Sequence, residues 1–270
     1  MNTDYKLLDT GDEKRLEQFG SLRIVRAAKQ ALWKPALPKS EWKKADAVFD
    51  EEWRGDTADF STHFDDVCFS LGMLESGQVG IFPEQLENWM WLAKVTAGEK
   101  HNIINGFAYT GGSTMFASNH INKVTHLDAS KPAIKRAKEN AELSFRKEND
   151  IRFVQEDVMT FLKKEIKRGK HYDGFIFDPP AFGTGGKGKK WKLGKDLPEL
   201  LEMVYELSGG NPAFILLSAH DPALDHVKLA KMIKKMCPKS AKIESGDLTI
   251  KAESGNDLKN GYFARCLMQD

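Results

Sequence analysis

The sequence predicts an α/β protein. It expects a doubly wound sheet of seven strands, mostly parallel and closed by an antiparallel C-terminal hairpin, behind a small β-rich N-terminal extension. Three observations predict it. From about residue 81, short apolar and β-branched runs alternate with amphipathic helical stretches, the order that builds a parallel sheet covered by helices on both faces. Those runs end in polar or glycine-bearing turns. The last two runs, AKIESGDLTI and GYFARCLM, have no helix between them and therefore pair antiparallel.

Each element follows from its residues. Before residue 81, Leu22–Val25 and Val67–Leu71 read as short strands among turn signals. LWKPALPKSEW holds two prolines, which fix φ and bias their predecessors away from helix, so it runs extended. The expected division is 1–80 for the extension and 81–270 for the main domain. HNIING (101–106) opens the main sheet, and a helix starts near Gly112–Ser113. KVTHLD (123–128) is the second strand; Ser130 then caps SKPAIKRAKENAELSF, with Pro132 in its first turn. IRFVQ (151–155) is the third, followed by a helix through VMTFLKKEIKRGK. YDGFIFD (172–178) has the composition of a buried parallel strand. A Gly/Lys loop, the helix DLPELLEMVYEL, the strand AFILLS (213–218) and a helix near 225–236 lead to the closing pair.

Composition narrows the class. A chain of 270 residues with 41% hydrophobic and 29% charged content can bury a core without disulfides or metals. The net charge of +1 says little by itself, but acidic residues prevail before residue 81 and basic ones after it, clustered in one loop. Cys68, Cys237 and Cys266 form no CxxC pair, so reduced thiols and no metal site are expected. The polar start MNTDYKLLDTGDEKR is no signal peptide, and no run of about 18 apolar residues exists. A cytoplasmic protein with no membrane segment is expected.

In an open α/β sheet, ligands bind at the carboxyl ends of the strands. The first strand ends in Asn105-Gly106-Phe107-Ala108-Tyr109-Thr110-Gly111-Gly112, a turn that lets a ligand approach backbone amides. This is not GxGxxG, and a plain strand-to-helix turn reads the same way. Asp128 closes the second strand at roughly the ~20-residue spacing of a ribose-binding carboxylate, or equally serves as a helix N-terminal charge. Asp157 follows the third strand, where it can accept from an adenine amino group. Asp178-Pro179-Pro180 ends the fourth: two prolines remove two donors and leave carbonyls and a carboxylate for a planar amino-bearing ring.

GFAYTGGST, THLDASKPAI, QEDVMTF and DGFIFDPPAFG resemble motifs I to IV of the class I S-adenosylmethionine-dependent methyltransferases. More narrowly they resemble the bacterial 23S ribosomal RNA methyltransferase family, with its pyrimidine-C5 and guanine-N7 enzymes. The similarity runs over about residues 78–220 and includes the lead-in GIFPEQLENW. The first 75 residues resemble a branch without the RNA-binding PUA domain that some relatives carry. The resemblance implies a Rossmann-like fold and S-adenosylmethionine as cofactor. It sets Asn105, Phe107 and the Tyr109, Thr110, Gly111, Gly112, Ser113 loop against the methionine part. Asp128, Ala129 and Ser130 fall at the ribose, and Asp157 and Val158 at the adenine. Phe82 and Gln85 close over the methionine end, while Asp178, Pro179 and Pro180 lie where cofactor and target meet.

One departure bears on the substrate. Pyrimidine C5 needs a cysteine to attack C6, because the ring carbon is too weak a nucleophile. Neither AFG after the prolines nor Ser218-Ala219-His220 contains one, so a base nitrogen of ribosomal RNA is the expected target. Any proton removal would fall to Asp178 or His220, although His220 reads equally as an ordinary loop histidine. The loop GTGGKGKKWKLGK offers Lys187, Lys189, Lys190, Lys192 and Lys195 to phosphates and Trp191 to a base, unless Trp191 folds back on the core. Competing readings are a protein or small-molecule methyltransferase, and a cofactor-binding module without catalysis.

Overall fold

The computed structural model describes residues 2–146, 150–184 and 190–268. The chain divides into two compact units. One comprises Met1–Glu84 with Thr249–Asn260, the other Gln85–Leu248 with Gly261–Asp270.

The first unit is built on a five-stranded sheet in sequential order: β1 (Tyr5–Gly11), β2 (Lys14–Phe19), β3 (Leu22–Ala27), β4 (Ala47–Asp50) and β5 (Glu52–Gly55). Asp12 and Glu13, both with positive φ, make the tight β1–β2 turn. A second hairpin pairs β6 (Phe60–Phe64) with β7 (Val67–Leu71). Tyr5, Phe19, Phe64 and Phe69 fill the core. Arg26 is buried there against Glu17, which also accepts from the Tyr5 hydroxyl at 2.9 Å.

The extended Pro-rich stretch is anchored by buried Asp9. Its carboxylate accepts from the Ala36 and Leu37 amides and from Trp42 Nε1, on the short helix α1 (Lys39–Trp42). Segment 249–260 joins this unit along β1: Glu253 N donates to Leu7 O at 2.8 Å and Ser254 N to Leu8 O at 3.1 Å.

The second unit contains the seven-stranded sheet apart from residues 249–250 and 258–260 of its last two strands, which fall in the first. Its strands are β8 (Asn102–Gly106), β9 (Lys123–Asp128), β10 (Ile151–Gln155), β11 (Gly174–Phe177), β14 (Phe214–Ala219), β15 (Lys242–Ile250) and β16 (Leu258–Leu267). Their spatial order is β10-β9-β8-β11-β14-β16-β15. The first five are parallel, and β16 runs antiparallel to β14. That is the doubly wound sheet with its antiparallel C-terminal pair.

The helices of this unit are α2 (Leu86–Val95), α3 (Gly112–Ala117), α4 (Lys131–Leu143), α5 (Val158–Lys167), α6 (Leu193–Leu207) and α7 (His226–Lys234). Ser130 caps α4 through Ala133 N, as its sequence requires. Helix α2, in the lead-in segment, was not expected. Between β11 and α6 a small antiparallel ribbon forms from β12 (Phe182–Thr184) and β13 (Lys190–Lys192), where a loop was expected. Cys237 and Cys266 pair as a disulfide, so of the three expected free thiols only Cys68 is one. Their separation in sequence hid that pairing, because α7 and the hairpin bring them together only in the fold. No helix among the described residues is long and apolar enough to cross a membrane.

Candidate functional site

The carboxyl ends of β8, β9 and β11 converge on one edge of the sheet, and most of the expected site residues cluster there. The loop after β8 is held in an uncommon conformation: Phe107 (φ 56°) and Tyr109 (φ 50°) are left-handed without being glycine, and Gly111 (φ 95°) follows. Such backbone persists only where its surroundings fix it. Here they do. Tyr109 N donates to Asp128 Oδ2 at 2.8 Å, Ala108 N to Leu127 O at 3.2 Å, and buried Asn140 Nδ2 to Thr110 O at 2.9 Å.

Two of the loop's glycines are explained by packing as much as by ligand approach. A Cβ on Gly106 would lie 2.7 Å from the Phe177 ring, and one on Gly112 would lie 2.6 Å from the Trp89 indole. Gly111 owes its place to its φ. Ser113, half-buried, sits in the first turn of α3.

Asp128 is half-buried, and each of its oxygens already accepts one backbone amide: Tyr109 N on Oδ2 and Ser130 N on Oδ1, both at 2.8 Å. A carboxylate has about four lone-pair sites, so two acceptor positions remain for a diol. Ala129 and Ser130 are exposed beside it. Asp157 caps α5: its Oδ1 accepts from Thr160 N at 2.9 Å and from the Thr160 hydroxyl at 2.7 Å. One oxygen is thus committed to the helix and the other is outside that cap. Val158 is buried beneath.

Asn105 is buried at one end of a polar chain whose other members, Thr114 and His126, sequence reasoning missed. Its Nδ2 donates to Thr114 Oγ1 at 2.8 Å, and that hydroxyl meets His126 Nδ1 at 2.8 Å. Burial drives the His126 pKa down to about 3, with partial opposition from the Tyr109 carbonyl, so the ring is neutral. His126 lies mid-strand and Thr114 inside a helix, and neither position signals function in sequence.

Asp178 sits at the end of β11 in a dense set of partners. Gln85 Nε2 donates to Asp178 Oδ2 at 2.9 Å and the Ser218 hydroxyl donates to Oδ1 at 2.7 Å. His220 Nε2 stands 3.4 Å from Oδ1, and Asn88 Nδ2 fixes Gln85 through its Oε1 at 2.8 Å. Burial raises the Asp178 pKa, but the His220 charge and the hydrogen bonds from His220, Ser218 and Gln85 outweigh it, so the carboxyl lies below its ordinary value. An ionised carboxylate held this way is a fixed acceptor and a weak base.

The Pro179-Pro180 wall is partly spoken for. The Pro180 carbonyl accepts from Trp191 Nε1 at 2.7 Å, and the Trp191 ring is buried against Phe107 with centroids 4.9 Å apart. Trp191 as a base-stacking residue is therefore corrected. It is folded onto the core, because a large aromatic gains more by burial and a satisfied N–H than by standing in water. Lys190 is exposed next to it. Lys187 and Lys189 lie outside the described residues. Phe82 is half-buried and belongs to the N-terminal unit, just ahead of the turn Pro83–Gln85. Among the described residues no three His, Cys, Asp or Glu are grouped to hold a metal.

Comparison with known proteins bears on this edge. No family model matches the chain. A crystal structure of the SAM-dependent methyltransferase from Agrobacterium tumefaciens is 32% identical, covers 98% of this chain and 91% of its own, and superposes with a TM-score of 0.92. The Pyrococcus abyssi tRNA (uracil-54, C5)-methyltransferase in complex with S-adenosyl-L-homocysteine shares the fold, at 14% identity, 94% and 60% coverage and a TM-score of 0.50. In sequence, the ribosomal RNA large subunit methyltransferase I of Aeromonas hydrophila is 32% identical over 106 residues, 39% of this chain. That match spans about a quarter (26%) of the Aeromonas protein.

Proposed function

The chain belongs to the S-adenosylmethionine-dependent methyltransferases, and on that premise we propose that it methylates large-subunit ribosomal RNA, at a base nitrogen rather than at pyrimidine C5. The residues present fit the cofactor. The Asp128 carboxylate keeps acceptor positions for two ribose hydroxyls, the fixed Tyr109–Ser113 loop and Asn105 suit the methionine part, and Asp157 and Val158 suit the adenine. When bound, S-adenosylmethionine supplies an electrophilic methyl group carried on a sulfonium.

The chain's own contribution is positioning. Asp178, immobilised by Gln85, Ser218 and His220, accepts a hydrogen bond from the amino or imino group of the target base and aims its lone pair. The proton released on N-methylation passes to the neutral His220 imidazole, and the Asp178 carboxylate stabilises the cation formed there. The observation that carries the nitrogen reading is that, among the described residues of the second unit, no cysteine stands at this edge. Cys266 pairs in register with Ile215, near the amino end of β14, and is disulfide-bonded to Cys237. The large-subunit name of the Aeromonas relative supports ribosomal RNA as substrate, and a cytoplasmic location follows from that substrate.

The test is transfer of labelled methyl from S-adenosylmethionine to total RNA and soluble protein from a strain lacking this gene, with Asp178→Ala as control. Label in large-subunit RNA, lost at least about 100-fold in the variant, supports the reading, and nucleoside analysis names the atom. Label only in protein or small molecules overturns RNA as substrate; 5-methylpyrimidine as the product overturns the nitrogen.

A further inference from the structure

The β12–β13 ribbon has two unlike faces. Directly opposed residues on an antiparallel pair share a face, and faces alternate along each strand. The register pairs Gly183 with Trp191 and Phe182 with Lys192. The Gly183/Trp191 face is turned inward: Trp191 is buried, its N–H holds the Pro180 carbonyl, and a Cβ on Gly183 would stand 3.4 Å from Pro180. Phe182 is 73% exposed, and Lys190 and Lys192 are exposed with it.

Isolated exposed apolar residues are ordinary, and Phe145 is more exposed still. Phe182 differs in its setting. It follows Asp178 by one short turn, rides on a ribbon bolted to the Pro180 carbonyl, and has Lys192 directly across from it. An exposed ring beside two cations is complementary to a base with its phosphates, since every base has a π-face and every nucleotide a negative charge.

We propose that the outer face of this ribbon receives the target nucleotide, with Phe182 stacking on an unpaired base and Lys190 and Lys192 meeting its flanking phosphates. The inference rests on RNA being the substrate and gives the role first expected of Trp191 to the residue one register position away. It implies that the target is presented out of a helical stack, because a base inside a duplex shows no free face.

The experiment titrates the full chain with a single-stranded oligoribonucleotide carrying 2-aminopurine, whose fluorescence is quenched by stacking. It uses the wild type, Phe182→Ala, Phe182→Tyr and Lys190→Ala/Lys192→Ala, each checked for S-adenosylmethionine binding by calorimetry. The proposal expects quenching in the wild type and in Phe182→Tyr. It expects none in Phe182→Ala, with affinity down roughly 5- to 150-fold. The double lysine variant keeps quenching but flattens the slope of log affinity against log salt by about 0.7 per lysine. Calorimetry is expected to be unchanged throughout. Wild-type binding that Phe182→Ala retains in full overturns this inference alone. Loss of cofactor binding in Phe182→Ala also overturns it, by making the ring structural. A wild type that binds no oligonucleotide while methylating protein or a small molecule overturns the RNA reading itself.

Discussion

At the scale of single residues, His126 is held by one ring nitrogen: its Nδ1 meets Thr114 Oγ1, while Nε2 is buried without a hydrogen-bond partner. Its folded pKa is about 3 against an ordinary 6.5, so the unfolded chain binds the extra proton first as pH falls. The stability this neutral ring contributes is fully present above about pH 6.5 and is lost progressively as pH drops toward about 3. His126→Gln is expected to lower stability at neutral pH and to flatten this acid limb, which thermal denaturation across pH will show. The placement of Asp128, Asp157 and Asp178 at strand ends was legible in sequence because the strands themselves are recognisable. The grip of Gln85 and Ser218 on Asp178 was not, since it joins groups 93 and 40 residues away. Trp191 misled for a related reason: a tryptophan among lysines reads the same whether it points out or in, until register is known.

At the scale of elements, the junction of β8 and α3 is the most tightly specified. Gly112 begins α3 against the Trp89 ring, which stacks on Phe116 of that helix at 5.4 Å. Gly112→Ala puts a methyl into that ring and is expected to cost about 1–3 kcal/mol. Because α3 carries Ser113 and Thr114, affinity for S-adenosylmethionine should fall with it, a paired loss that calorimetry and denaturant unfolding can separate. The helices α4 and α5 were readable from caps and periodicity. The ribbon was not, because its strands are three residues each and glycines interrupt the alternation that would reveal them.

At the scale of the whole molecule, the order of strands and helices fixed the doubly wound sheet and even its closing hairpin. It did not show that the connection between the last two strands leaves its own unit. That segment bonds to β1 and places Gly255 (φ 76°) over Asp9, where an added Cβ would be 2.8 Å from Oδ1 and 3.1 Å from the Ala36 Cβ. Nothing local in ESGND announces a partner that far back in the chain. Gly255→Ala is therefore expected to destabilise the N-terminal unit, by about 1–3 kcal/mol. Hydrogen exchange at the Glu253 and Ser254 amides should report the change before exchange in β8 or β11 does.

The same segment sets a timetable on the ribosome. The N-terminal unit lacks part of itself until residues 249–260 emerge, and residues 85–248 must be made first. At ~5–20 residues per second that interval is on the order of ten to thirty seconds. For that time β1 offers the nascent chain an open edge, so a unit whose strands are made before residues 85–248 is finished only after them.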